Sequence, residues 1–254
     1  DLFILVSILL SFALLPILLS SSEQPNVLDI KKISLREFYV ISPLGFVGAF
    51  FTGLSHSVIF GYGAIYATTK GLSIFEVSIF MVLLTWFGAI SQWPIGYLSD
   101  KIDRRIILIG VTFIASGLCI LVAVSSYLSI TLFFILAALY SAMALPMYSL
   151  VVAHTNDFLQ PNEIVSASAA LAKLVGFGSI LGPILVSSNM NIFGPNGYFI
   201  YLFIIHAILG IFGLYRMAKR TKPDNIESQY MPLPRNISPA GMELNPVTEP
   251  TEEK

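Results

Sequence analysis

The sequence predicts an all-α polytopic membrane protein, and three observations lead to this fold class. Hydrophobic residues make up 56% of the 254 residues and charged residues 11%, whereas a soluble domain usually carries about 25% charged residues. Several apolar stretches reach the length of about 20 residues that a bilayer-spanning helix requires. Basic residues are dense in alternate loops and sparse in the others. A soluble fold could not hide this much apolar surface, because its exterior must be wetted.

Seven apolar stretches are predicted to span the bilayer, and the breaks between most of them are short and carry turn-forming residues. They run over 2–20, 44–68, 75–98, 106–125, 129–153, 165–188 and 198–216. Barrel strands would be about ten residues long with alternating polarity, so the lengths favour helices.

The basic residues predict which side of the membrane each loop occupies. When the seven spans are numbered in order, one side collects ten basic residues near span ends: Lys31, Lys32, Arg36, Lys101, Arg104, Arg105, Arg216, Lys219, Arg220 and Lys222. The other side holds Lys70. The positive-inside rule places the ten in the cytoplasm, which predicts a cell-membrane protein with a cytoplasmic carboxyl terminus.

The remaining segments are expected to be cytoplasmic. Residues 21–43 form a long loop in which 30–38 is either an amphipathic helix on the anionic inner membrane surface or a solvated linker with basic anchors. Residues 217–254 are rich in proline, asparagine and glutamate, a composition typical of a disordered tail. The chain begins at Asp1 without the basic region or cleavage site of a signal peptide, which indicates a cut inside a longer protein.

Composition and motifs argue against several classes of function. The net charge of −1 gives no electrostatic case for binding nucleic acid. Cys119 is the one cysteine in the sequence, so disulfide frameworks and thiolate metal sites are excluded. The sequence has no HExxH motif, nucleophile elbow or phosphate-binding loop. We therefore expect no enzyme, no catalytic residues, no metal and no cofactor.

The loop between the third and fourth spans, 96–105, reads GYLSDKIDRR. It resembles the signature loop of the major facilitator superfamily, which has a glycine, three residues, an aspartate, a basic residue, one residue, a second glycine and two basic residues. Five of its six fixed positions match: Gly96, Asp100, Lys101, Arg104 and Arg105. Asp103 stands where the pattern has its second glycine, which leaves the tight turn open, and a generic cytoplasmic hairpin is the alternative interpretation.

A second likeness lies in the span at 165–188, which contains Gly178, Gly182 and Pro183. The fifth helix of a six-helix half in this superfamily often has such a glycine-rich segment ending in Gly-Pro. Two glycines four residues apart permit close contact between helices, and Pro183 can bend the helix.

The resemblance implies a six-helix bundle over 44–216, similar to helices seven to twelve of a permease, preceded by a helix at 2–20 similar to helix six. It also implies a secondary transporter of a small solute that alternates between inward-open and outward-open states. Its partners would be the lipid bilayer and a missing amino-terminal half of the same protein, and its signature loop would hold one gating state.

Polar residues in the first helix of the bundle are candidates for lining the substrate or coupling-ion cavity. His56 lies near the middle of 44–68 and can bind a proton near neutral pH, although a structural hydrogen bond between helices is an equal alternative. Tyr62 and Tyr66 share a helical face, and Gly61 and Gly63 weaken the helix beside them. Interfacial anchoring is the alternative role of these tyrosines.

Lys173 is the fourth candidate, because it lies well inside the span at 165–188. It is expected either to pair with a substrate anion or with an acid of the missing half, or to extend toward the interface. Rival functions are a membrane enzyme, which would need histidine, aspartate or glutamate clustered inside the membrane that this sequence lacks, and a non-transporting binding or scaffold protein, including a nonfunctional remnant.

Overall fold

The protein, analysed as a computed structural model, is described over residues 2–19 and 31–219, and every regular element in these ranges is a helix. The helices are α1 (Leu2–Leu18), α2 (Leu35–Ile41), α3 (Pro43–Thr69), α4 (Ile74–Lys101), α5 (Arg104–Ser125), α6 (Ile130–Ala144), α7 (Met147–Asn156), α8 (Ile164–Phe193) and α9 (Gly197–Lys219). This confirms the predicted all-α class. Residues 21–30 of the predicted loop and 220–254 of the predicted tail lie outside the described residues, whereas 217–219, which the sequence assigns to the tail, belong to α9.

Five stretches within the described ranges are long and apolar enough to cross a membrane. Three are α3, α4 and α5, the fourth joins α6 to α7, and the fifth, Pro161–Lys219, contains both α8 and α9. All six predicted spans between 44 and 216 therefore have a helical counterpart. Helix α1 has 17 residues, and its described side chains are exposed, so a membrane crossing at 2–20 stays a prediction.

The break in helical structure falls in a different span from the one that the glycines suggested. Helix α3 runs without interruption through Gly61 and Gly63. The span predicted at 129–153 is instead divided at Leu145 and Pro146, between α6 and α7. Proline has no N–H and its ring clashes with the preceding turn, which accounts for the interruption at this position.

The segment before the bundle contains α2, so the structure favours a helix over a solvated linker for this part of the loop. The Ser34 side chain accepts a hydrogen bond from the Glu37 amide at 3.2 Å, and the Glu37 side chain accepts one from the Ser34 amide at 2.9 Å. This reciprocal arrangement is a capping box. Leu35, Tyr39 and Val40 are exposed apolar or aromatic residues on this short helix.

Close contacts give the relative directions of the long helices. A β-carbon on Gly53 of α3 would overlap Val175 of α8, and one on Gly182 would overlap Ser57. Positions on the two helices therefore advance together, and α3 and α8 are parallel. Similar contacts of Gly210 with Phe113 and of Gly213 with Ile109 make α9 antiparallel to α5.

The two ends of the bundle differ in charge. Lys101, Arg104 and Arg105 lie at one end, which we call the basic end, and Arg216 lines a small cleft with Arg105 there.

The opposite end, which we call the Lys70 end, joins three inter-helix connections. Lys70 Nζ lies 4.0 Å from the centre of the Tyr127 ring and donates a hydrogen bond to Asn196 Oδ1 at 3.3 Å. The turns at this end use glycine where the backbone is left-handed, with φ of 89° at Gly71 and 64° at Gly194.

Candidate functional site

His56 contacts the interrupted helix in the middle of the bundle. It lies about 20 Å along α3 from Pro43, using 1.5 Å per residue, and it is 4% exposed. His56 Nε2 is 3.1 Å from the carbonyl oxygen of Ala144, the last residue of α6. A carbonyl oxygen only accepts hydrogen bonds, so Nε2 carries the hydrogen in this arrangement. The side chain therefore holds the helix end that precedes the break.

Glycines bring the neighbouring helices close to this break. A β-carbon on Gly88 of α4 would overlap the Leu145 side chain, and one on Gly48 of α3 would lie 2.7 Å from Val151 of α7. Residues with larger side chains would push α4 and α3 away from the α6–α7 junction. His56 is buried beside this junction, with 4% of the residue exposed.

Tyr62 and Tyr66 have different surroundings although both lie on α3. Tyr62 is half-buried and lines a cleft of about 330 Å³ at the Lys70 end with Ser187 and Asn191 of α8. Tyr66 is fully buried, with its ring stacked on Tyr198 of α9 at 4.7 Å between centroids. Tyr62 therefore faces a polar cleft, and Tyr66 faces the aromatic core.

Lys173 lies on the exposed side of α8, nearer the basic end than His56. It lines a groove of about 310 Å³ together with Lys32, which precedes α2, and Leu35 of α2. The described side chains that line this groove include two lysines and no acidic residue. The four candidate residues therefore lie in different surroundings: His56 makes a buried contact, Tyr62 lines a polar cleft, Tyr66 packs in the aromatic core and Lys173 lines a basic groove.

The signature loop is organised around the buried Arg104 side chain. Arg104 is 3% exposed, and its Nη1 donates to Asp157 Oδ1 at 2.6 Å and to the Ala153 carbonyl at 3.1 Å. Its Nη2 donates to Asp100 Oδ1 at 3.0 Å. One guanidinium group thereby joins the ends of α4, α5 and α7, using the planar array of donors that arginine provides.

The other residues of this loop stabilise the connection between α4 and α5. Asp103 caps α5 by accepting from the Arg105 amide at 3.0 Å, and its carboxylate also pairs with the Arg105 side chain at 2.7 Å. Its φ of −48° needs no glycine, and aspartate is a preferred N-cap residue. Lys101 Nζ lies 4.2 Å from the Tyr97 ring centre, and Gly96 is buried within α4.

The glycines predicted to serve helix packing lie against α3. A β-carbon on Gly178 would overlap the Phe50 carbonyl, and one on Gly182 would overlap Ser57 and approach the Leu54 carbonyl. Pro183 follows within α8, which continues without interruption to Phe193. This contact holds α3 and α8 at backbone distance along two turns.

The sequence did not identify the two acidic residues that pair with basic side chains at the basic end, Asp157 and Glu163. Glu163 is 7% exposed and accepts from Lys31 Nζ at 2.7 Å, and this bond and the negative charge raise the pKa of Lys31. Ser166 also donates to the Lys31 carbonyl at 2.7 Å. These contacts dock the segment before α2 onto the start of α8.

Metal chemistry has no candidate site in the part of the chain that the structure describes. Within residues 2–19 and 31–219, no group of three or more histidine, cysteine, aspartate or glutamate side chains could hold a metal ion.

Comparison with known proteins places these features in a family context. The family model described as Major Facilitator Superfamily matches residues 45–242. An uncharacterised MFS-type transporter of Yersinia pestis is 28% identical over 187 residues, which cover 74% of this chain and 46% of the relative.

Two further relatives give the same assignment. An uncharacterised MFS-type transporter of Yersinia enterocolitica is 26% identical over 227 residues, covering 89% of this chain and 56% of the relative. The uncharacterised MFS-type transporter YcaD of Escherichia coli is 26% identical over 180 residues, covering 71% and 46%. The chain thus spans about half the length of the curated relatives it matches. No solved structure matches it significantly.

Proposed function

The chain belongs to the major facilitator superfamily, and from this premise we propose that it forms one six-helix bundle of a secondary transporter for a small solute. The chain is a multi-pass membrane protein, and its family consists of transporters rather than enzymes. In the proposed mechanism this bundle and a second, amino-terminal half rock about a central site, which opens alternately to each side of the membrane.

The observation that carries this proposal is the contact of His56 with the interrupted helix. Leu145 and Pro146 keep right-handed helical dihedral angles, so the span is interrupted at a proline without unwinding, and proline is tolerated in a membrane helix where neighbouring groups satisfy the freed backbone. An ionisable side chain at this depth in a membrane carries a high free-energy cost, and such side chains are therefore candidates for functional sites. The break between α6 and α7 and the imidazole of His56 meet at 3.1 Å.

The chemistry of His56 suits an exchangeable contact. A neutral imidazole donates Nε2–H to the Ala144 carbonyl, and a protonated imidazole donates from both ring nitrogens. We propose that protonation of His56 changes its partners and so couples movement of α3 against the α6–α7 junction to a proton. Tyr62, in the cleft at the Lys70 end, would contact solute on the same path.

The roles of the other candidate residues follow from their surroundings. Lys173 and Lys32 form a basic groove near the basic end, where they would attract an anionic solute or an acidic side chain of the amino-terminal half. Tyr66 would support the bundle core. The network of Arg104 with Asp100 and Asp157 would hold one gating state at the basic end.

Accessibility of position 56 tests alternating access without knowledge of the substrate. We would label a His56→Cys, Cys119→Ala variant of the complete protein with a membrane-impermeant thiol reagent, in right-side-out and in inside-out vesicles. Alternating access predicts labelling from both sides. The matched control is the protein without these substitutions, which should stay unlabelled at Cys119 because this cysteine is fully buried in α5. Labelling from neither side would contradict transport and favour a binding or scaffold protein.

Proton coupling requires a separate measurement. In proteoliposomes under a pH gradient, a panel of labelled sugars, amino acids, carboxylates and organic cations would be screened for uptake by the complete protein. We expect His56→Gln to abolish the dependence of uptake on the gradient. His206→Gln is the control, because His206 is equally buried but lies on α9. Unchanged coupling in His56→Gln would remove His56 from the mechanism.

A further inference from the structure

Four side chains in the core of the bundle have a polar atom without a hydrogen-bonding partner among the described residues. They are the hydroxyl groups of Tyr66, Tyr140 and Tyr198 and Nε2 of His206. Each side chain belongs to a residue that is at most 1% exposed. Buried polar groups in native proteins nearly always have a partner, and exceptions call for an explanation such as an ordered water or an ion.

The four residues form a continuous column rather than scattered sites. The Tyr66 and Tyr198 rings are stacked with centroids 4.7 Å apart, and the Tyr140 and His206 rings meet edge to face at 5.7 Å. Phe199 joins the two pairs, with its ring 4.9 Å from Tyr198 and 5.9 Å from Tyr140. The column follows α9 for about 12 Å between positions 198 and 206, using 1.5 Å per residue.

The column is built from three helices and begins close to the Lys70 end. Tyr66 is on α3, Tyr140 on α6, and Tyr198 and His206 on α9. The Lys70 amide donates to the Tyr66 carbonyl at 2.9 Å, which puts Tyr66 one helical turn inside that end. The residues that carry these polar atoms therefore extend from near the Lys70 end into the core of the bundle.

The Tyr198 hydroxyl lies near Gly63, a position of α3 that has no side chain. A β-carbon built on Gly63 would lie 3.0 Å from Met81 Sδ and 3.5 Å from Tyr198 Oη, so the sulfur and the hydroxyl both approach α3 at this glycine. None of the three tyrosine hydroxyls bonds directly to another, so each keeps its hydrogen-bonding capacity for a small ligand.

We propose that the column Tyr66, Tyr198, Tyr140 and His206 is a binding site for a file of ordered water molecules inside the bundle. Water is the ligand of matching size and chemistry, because it both donates and accepts and typically makes about three hydrogen bonds in a buried site. Tyrosine hydroxyls can donate or accept, and Nε2 of the neutral His206 imidazole accepts, because Nδ1 donates its hydrogen to the Leu202 carbonyl at 2.6 Å. An anion or a metal ion fits less well, because no charged side chain lies in the column.

This inference does not depend on transport, since it follows from the hydrogen-bonding needs of the core. It does assign a role to residues that the proposed mechanism leaves unused. Water molecules that bridge α3, α6 and α9 would stabilise the packing of these helices through hydrogen bonds that can break and re-form one at a time. Direct hydrogen bonds between side chains would instead fix the helices in one arrangement.

Radiolytic hydroxyl-radical footprinting of the complete protein in lipid nanodiscs tests the site directly. Synchrotron irradiation converts bound water into radicals in place, so buried side chains beside ordered water become oxidised. We expect Tyr140 and Tyr198 to be oxidised severalfold faster than Phe38, an equally buried aromatic residue that lies on α2 outside the column. Oxidation of both tyrosines at the rate of Phe38 would overturn the proposal.

A substitution provides a second, independent readout. Tyr198→Phe removes one water-binding hydroxyl while keeping the ring, so we expect oxidation of Tyr140 to fall severalfold. Tyr201→Phe is the matched control, because the Tyr201 hydroxyl already donates to the Leu54 carbonyl at 3.3 Å and is not one of the orphaned groups. If Tyr140 keeps its rate in Tyr198→Phe, the proposal is wrong. If that variant does not fold, the comparison of rates in the native protein decides.

Discussion

Replacing Asp157 with asparagine removes one of the two carboxylates that Arg104 contacts in the described residues, without changing the size of the side chain. Arg104 is 3% exposed and the Asp157 side chain 8%, so little solvent can screen the guanidinium after the change. The Asp100 carboxylate remains at 3.0 Å, although its side chain is 33% exposed. The substitution therefore leaves the buried Arg104 guanidinium beside a neutral amide and the partly solvated Asp100 carboxylate.

The expected loss follows from these contacts. Hydrogen bonds to charged groups contribute about 1.5–3 kcal/mol, and asparagine can still accept one neutral bond, so we expect a destabilisation of about 2 kcal/mol. For a protein of this size that corresponds to a decrease in Tm of about 4–8 °C. Asp100→Asn, at the more exposed position, should cost no more than about 1 kcal/mol.

Thermal unfolding of the purified protein in detergent measures both changes. A double-mutant cycle adds Arg104→Gln, which should cost clearly less in the Asp157→Asn background than alone, because the two residues interact directly. The reasoning would be refuted if Asp157→Asn unfolded at the temperature of the unmodified protein, or if the two substitutions were strictly additive.

Three further predictions concern the packing and the attachment of the bundle. Gly178→Leu should destabilise the protein by about 3 kcal/mol, because the leucine side chain would overlap the α3 backbone. Gly176→Leu is the control, because position 176 points into open space, and it should leave Tm unchanged. Equal effects of the two substitutions would contradict the α3–α8 contact. Glu163→Gln should speed amide exchange in the segment before α2, since it breaks the 2.7 Å pair with Lys31; unaltered exchange would exclude this docking. Backbone hydrogen bonding at the start of α2 lowers the pKa of Glu37. The stabilisation of α2 by the Glu37 carboxylate is therefore present above the ordinary carboxyl pKa and is lost as the pH falls through the lowered pKa. Amide exchange rates in α2, corrected for pH, should rise in that acidic range in the native protein and should not rise in Glu37→Gln.

Much of the helical architecture can be predicted from the sequence because a bilayer imposes simple rules. The length of each apolar run gives the number of long helices, and the segregation of basic residues from Lys70 predicts which connections share an end. The division between α6 and α7 was not predicted, since Pro146 is a feature that membrane helices often absorb with a bend. Whether a proline bends or breaks its helix depends on neighbouring helices, here on the approach of Gly88 to Leu145.

The site could be predicted only in part, because its contacts join residues far apart in sequence. The pattern of Asp100, Arg104 and Arg105 was visible as a motif, but the pairing of Arg104 with Asp157 depends on how α7 packs against α5. His56 was identifiable as an ionisable residue at the centre of a span. Its contact with Ala144, 88 residues later, required the folded bundle.

The central claim is that this chain spans the membrane with its basic end on one side and its Lys70 end on the other. Measuring the orientation of these two ends tests it most directly. We would introduce Lys70→Cys and Lys101→Cys separately into the complete protein carrying Cys119→Ala, and apply a membrane-impermeant maleimide to intact cells. The account predicts that the cysteine at position 70 reacts in intact cells. The cysteine at position 101 should react only after the cells have been permeabilised. Reaction of both cysteines in intact cells would contradict it.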